Sequence, residues 1–153
     1  MSDSPAVSHL TAHLGFWLRL VSNHVSHAFA RKLHGAGVTV AEWVLLRELY
    51  QEARIGPSRL AERMGMTRGA ISKLADRLVA KDLLEREDRA DDARSHWLAL
   101  TPAGRAIVPR LAALADSNDA EFFDHLTAEE RATLEATLMA VAERHGFKAV
   151  PIS

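Results

Sequence analysis

A mainly α-helical fold with one small β-hairpin is what this sequence predicts, on three observations. Apolar residues recur at helical spacing along most of the chain. Two short runs, residues 83–87 and 96–100, read instead as strands around a charged stretch. Two short amphipathic segments, residues 57–64 and 67–81, meet at Gly65-Met66, the pattern of a helix-turn-helix.

The first helix is expected over residues 8–35, after a tail of residues 1–7. Leu10, Leu14, Trp17, Val21, Val25 and Ala28 recur at alternating steps of four and three, and Leu18, Phe29 and Leu33 widen the stripe. So broad an apolar face exceeds what one small domain needs, so part of it is expected to meet a partner subunit. Packing wholly within the protomer is the competing reading. Gly35-Ala36-Gly37 breaks the helix. Thr39 and Glu42 form a capping-box pattern, Thr39 bonding forward to the third amide while Glu42 reaches back. They open a helix to about Gln51, with Trp43, Leu46, Leu49 and Tyr50 on one side. Pro57 or Ser58 starts the next helix; Pro suits a first turn, where its missing N–H was unpaired anyway. Leu60, Ala61 and Met64 form its inward face.

Residues 67–81 have two faces. Ile71, Leu74 and Leu78 point toward a core, while Gly69, Ser72, Lys73 and Asp76 point away, flanked by Arg68 and Arg77. Thr67 sits at the N-cap. A helix entering a DNA major groove needs short polar side chains toward base edges and cations toward phosphates. An ordinary surface helix is the alternative. The hairpin that follows places Leu84 and Arg86 on one face, and Leu98 and Leu100 share a face of the second strand. Its tip, residues 88–95, is long for a hairpin. Arg94 is expected to enter a narrow minor groove, where the potential is most negative, with Arg89 supporting it on the backbone. Asp92 is expected to pair with a nearby Arg, and a merely solvated loop is the alternative. Thr101-Pro102 begins a helix to about Phe123 carrying Ile107, Val108, Leu111, Leu114 and Phe122, in which Pro109 predicts a kink or a shifted start. Thr127 and Glu130 form a second capping box. The last helix, with Leu134, Leu138 and Val141, ends near Gly146, and residues 147–153 form a tail.

Composition narrows the function. The 153 residues, 48% hydrophobic and 25% charged, suit one globular protomer. The net charge of -1 excludes a basic nucleic-acid coat. Its distribution is uneven: residues 55–81 carry six Lys/Arg against Glu62 and Asp76, while residues 116–145 carry eight acids against Arg131 and Arg144. Only the middle is therefore expected to face a polyanion. With no cysteine there is no disulfide, Cys-based zinc site or thiol sensor. A cytoplasmic location is expected, since no secretory signal is visible and no apolar run approaches the roughly 20 residues that span a bilayer.

The order of these segments resembles the MarR family of winged helix-turn-helix regulators. The resemblance rests on Leu60-Ala61, residues 67–78, the run Lys81-Asp82-Leu83-Leu84-Glu85-Arg86, then Asp92-Ala93-Arg94 and Leu100-Thr101-Pro102-Ala103-Gly104, and it spans nearly the whole chain. Asp82 departs from the family's usual Gly; Asp tolerates left-handed backbone better than most residues. The resemblance implies dimerisation helices at residues 8–35 and 101–146 around a DNA-binding lobe at 39–100. It implies a homodimer with reader helices set for adjacent major grooves of a pseudo-palindrome, about 34–36 Å apart. It also implies a repressor released by a small, often aromatic, acid.

The expected DNA contacts are Arg68, Ser72 and Lys73 at base edges or adjacent phosphates, Arg77 on a phosphate, and Arg89 and Arg94 from the hairpin. For a small ligand, His13, Trp17 and Trp43 are candidate pocket walls; both tryptophans as core is the equal alternative. His9, His13, His24, His27 and His34 include metal-ligand spacings, but no acid on that helix completes a site, so no metal or other cofactor is expected. An enzyme is disfavoured: no Gly-rich phosphate loop, nucleophile elbow or HExxH occurs, and Asp91-Asp92 is a lone acidic pair. The other functional class left open is a winged-helix protein-interaction module without DNA binding.

Overall fold

The computed structural model describes residues 5–90 and 92–152, with the side chains of residues 92–95 outside that description. The described residues form six α-helices and one antiparallel hairpin: α1 (Leu14–Gly35), α2 (Val40–Leu49), α3 (Pro57–Met64), α4 (Arg68–Ala80), β1 (Leu84–Arg89), β2 (Asp92–Leu100), α5 (Pro102–Phe123) and α6 (Ala128–His145). The mainly helical, winged helix-turn-helix expectation is met.

The core fills the space between α2, α3, α4 and the hairpin. Leu45, Leu46, Leu49, Leu60, Met64, Ile71, Leu78, Leu84 and Leu98 are fully buried there, joined by Leu33 from the end of α1 and Leu111 from α5. Ile55 adds a bridge to the sheet, exchanging backbone hydrogen bonds with Leu98 in both directions at 2.9 and 2.8 Å. The expected loop before α3 thus contains a strand-like contact.

The termini are built differently. α6 buries no residue and α1 buries only Ala28 and Leu33. Leu14, Leu18, Val21, Leu134, Leu138, Met139 and Val141 are all exposed. α1 and α5 are fastened together by Lys32, which donates to Asn118 Oδ1 at 2.9 Å and pairs with Glu121. Asn118, nearly buried, donates in turn to the Val25 carbonyl at 3.1 Å. Arg131 of α6 pairs with Asp119 of α5.

Four local expectations change. α1 begins at Leu14 instead of residue 8, because His13 is extended and a 3-10 turn, Leu10–Ala12, precedes it. The Trp17 indole donates to the Thr11 carbonyl at 2.9 Å and holds that turn against the helix. The Thr39 hydroxyl caps α2, but Glu42 does not reach back; its carboxylate is turned inward to Lys81. α5 starts at the expected Thr101 cap and continues through Pro109, so of the two outcomes expected for that proline the shifted start does not occur. Finally, the tail folds back. A Cβ at Gly65 would lie 3.0 Å from both the Cα and Cβ of Ala149, and Ile152 packs on the core.

Candidate nucleic-acid interface

The helix-turn-helix is fixed by backbone bonds at its turn. Gly65 takes the left-handed conformation (φ 64°) that a residue without Cβ adopts freely, and the Met66 amide returns to the Ala61 carbonyl at 2.9 Å. The Thr67 hydroxyl then accepts from the Ala70 amide at 3.1 Å and starts α4. At the far end Asp82 adopts φ 58°, so the left-handed turn survives without glycine. The Leu83 amide closes it on the Leu78 carbonyl at 3.0 Å.

Between these ends α4 is divided as its sequence requires. Ile71, Leu74, Ala75 and Leu78 are buried, and Arg68, Gly69, Ser72, Lys73, Asp76 and Arg77 are exposed. Arg68, Lys73 and Arg77 form no ion pair among the described residues, leaving three cations and a serine on one outward face. Other cations of the basic middle are engaged: Arg63 with Glu52 at 2.8 Å and Lys81 with Glu42 at 2.7 Å. The local charge count therefore overstates what a polyanion would meet.

The hairpin stands beside this face. β1 and β2 pair from Leu84↔Leu100 to Asp88↔His96, and after a register irregularity Arg89 pairs with Asp92. The strands thus extend into the charged stretch expected to be a long tip. Side chains across the ladder account for this. His96 Nδ1 lies 3.3 Å from Asp88 Oδ1, and the Arg89 guanidinium lies 4.1 Å above the centre of the Trp97 ring, a favourable cation–π distance. Arg54 lies over the same ring at 4.6 Å. Arg89 is therefore half-buried at the flank of the hairpin. The Arg94 side chain and the expected Asp92–Arg pair lie outside the described residues.

Sequence reading missed the connection between hairpin and reader helix. Arg86 of β1 donates to Asp76 Oδ1 at 2.6 Å and lies 3.4 Å from the Ser72 carbonyl. The available signal was Arg86 sharing a strand face with Leu84, which must point at the core. An open cleft of about 340 Å³ separates the two elements, lined by Arg68, Ser72, Ala75, Arg86, His96 and Leu98.

The three candidate ligand residues are dispersed. His13, the exposed N-cap of α1, borders a shallow hollow of about 490 Å³ with Phe16, Arg19 and Leu20. Trp17 is 48% exposed beside it, its ring edge-on to Phe16 at 5.2 Å. Trp43 is half-buried against the core in α2 and borders neither cavity. Among the described residues no group of three or more His, Asp or Glu is placed to hold a metal ion. Among the described residues no helix is long and apolar enough to cross a membrane.

A capped helix with an exposed cationic face, seated on a core beside a β-hairpin, defines a winged helix-turn-helix DNA-binding regulator. A family profile described as MarR family matches residues 36–95. The multiple antibiotic resistance protein MarR of Escherichia coli K12 is 30% identical over 129 residues, covering 84% of this chain and 90% of that protein. The chain belongs to the MarR family. The crystal structure of a Cys-to-Ser mutant of E. coli MarR complexed with operator DNA is similar at TM-score 0.74 and 30% identity, over 84% of this chain and 92% of that one. The S. aureus MepR–DNA complex shares the fold at TM-score 0.76 and 22% identity, over 86% and 98% of the two chains.

Proposed function

We propose that the protein is a ligand-responsive repressor that binds a pseudo-palindromic operator as a homodimer in the cytoplasm. The observation that carries the DNA contact is the exposed face of α4, where Arg68, Ser72, Lys73 and Arg77 point outward from a helix whose other side is fully packed. Ser72 and Lys73 are the base readers, Arg68 and Arg77 bind phosphate, and Arg89 and Arg94 add contacts from the wing. Phosphate contacts set affinity and salt dependence, while base contacts set discrimination.

Dimerisation is supported by the apolar faces of α1 and α6, which the protomer leaves uncovered. A second copy would cover them, and residues 8–35 and 101–146 are the segments assigned to that interface. The effector is a small aromatic acid. His13 and Trp17 lie on the uncovered end of α1 and Trp43 on α2, so a pocket using all three needs the assembled dimer. The cleft between α4 and the wing offers another seat, with Arg68 and Arg86 for a carboxylate and Ala75 and Leu98 as apolar wall. An acid bound there would compete with phosphate for Arg68.

The test is selection of bound sequences from a random duplex pool, repeated with aromatic acids present. A two-fold symmetric enriched sequence, lost on adding one of the acids, is expected. No enrichment from the pool, with salt-insensitive binding, would favour the protein-interaction module instead.

A further inference from the structure

The C-terminal end of the reader helix is attached to the segment that leaves α1. Lys81, the C-cap of α4, sends its ammonium to Glu42 Oε2 at 2.7 Å and to the Gly37 carbonyl at 2.8 Å. Glu42 lies in the first turn of α2 and is 1% exposed; Gly37 lies in the turn between α1 and α2. The other holds on α4 are different in kind. Thr67 caps the helix only onto itself, the apolar face rests on the lobe's own core, and Arg86 joins it to the wing. That core also takes in Leu33 and Val38, and to this non-directional packing Lys81 adds a directional polar tie to the chain emerging from the helix that carries the uncovered apolar stripe.

We infer that Lys81, acting through Glu42 and the Gly37 carbonyl, is a positioning residue that fixes the direction of each reader helix relative to α1, and so the half-site spacing the dimer accepts. The inference rests on the dimeric DNA-binding function proposed above. Burying a carboxylate is costly, and an ion pair so placed adds little net stability over an apolar pair of similar size. Its effect is on geometry. A helix of 13 residues is about 20 Å long, so a swing of about 5° at the Lys81 end displaces the other end by nearly 2 Å. That is enough to break base contacts.

The experiment compares wild type, the double variant Glu42→Leu/Lys81→Met and the single variant Lys81→Arg in duplex-pool selection and in titration of the wild-type-enriched duplex against random duplex. The double variant removes the ion pair without stranding a buried charge. It is expected to stay folded and dimeric, to lose at least tenfold in the ratio of selected to random affinity, and to enrich sites whose half-sites are a base pair nearer or farther. Lys81→Arg keeps donors for both oxygens and is expected to hold that ratio within about twofold. Loss in both variants, or in neither, overturns the positioning role. If wild type itself enriches nothing, the DNA-binding reading fails along with it; if wild type enriches and the double variant matches it, only the positioning role falls.

Discussion

Arg86 of the wing and Asp76 of the reader helix meet at 2.6 Å, and this contact ties the hairpin to the face expected to meet DNA. It also neutralises the one carboxylate on that face. Both side chains are substantially exposed, so the pair should add little stability, about 0–1 kcal/mol. Its removal should instead register in DNA binding, with opposite signs for the two partners. Arg86→Ala leaves Asp76 facing phosphate and is expected to weaken binding to every duplex. Asp76→Ala is expected to strengthen random-duplex binding. Titrations at two salt concentrations check this, and weakening by both variants would assign the pair to wing placement alone.

Lys73→Ala should reduce discrimination between operator and random duplex by about 1–3 kcal/mol if Lys73 reads a base edge. Arg94→Ala should weaken both duplexes alike and lower the salt slope by about one. The same pair of titrations separates these effects. Equal loss on both duplexes for Lys73→Ala would reassign it to phosphate.

The uncovered apolar faces predict that a charge placed in them separates the subunits. Leu18→Glu and Leu138→Glu, at positions 52% and 45% exposed in the protomer, should leave the lobe folded. Each is expected to sediment at monomer mass and to lose operator affinity by more than tenfold. A variant that stays dimeric would place that residue outside the interface.

Glu130 links the start of α6 to pH. The Thr127 amide donates to its carboxylate at 3.0 Å, and with the Thr127 hydroxyl this holds the carboxyl below its ordinary value of 4.5. A depressed carboxyl stabilises the fold above its unfolded-state value, and that contribution is lost as pH falls through the lower, folded value. The first turn of α6 should therefore loosen below about pH 4.5. Glu130→Gln, which has no carboxyl to protonate, should abolish that part of the response. Amide exchange at residues 128–131 measures it, and identical acid profiles for the two proteins would exclude the capping box as the cause.

Gly104→Ala should destabilise the lobe by about 1–3 kcal/mol or more, the cost of overpacking. An added Cβ would fall 2.1 Å from the Leu83 carbonyl oxygen, so α5 would have to move off the root of the wing. Thermal melting reads the loss, and an unchanged Tm would mean that the junction adapts at no cost.

Which features were legible follows from how far their causes reach along the chain. Thr67, Thr101 and Thr127 cap helices through amides three residues away, so local spacing was enough. The division of α4 into buried and exposed faces was equally local. Glu42 shows where this stops. Beside Thr39 it reads as half of a capping box, but its partner is Lys81, 39 residues on. The wing was underestimated because its charged residues look like loop until Asp88 faces His96 and Arg89 stacks on Trp97 across the ladder. Arg86 was missed as a contact because Asp76 belongs to another element.

The return of the chain's last residues to the helix-turn-helix bears on how the molecule melts. α6 buries nothing in its own protomer, yet it is moored at both ends, to α5 by Arg131 and to the lobe where Ala149 meets Gly65. An appendage fixed at one point can fray by itself; one fixed at two must release both. Fraying of α6 from its C-terminal end should therefore require Ala149 to part from Gly65.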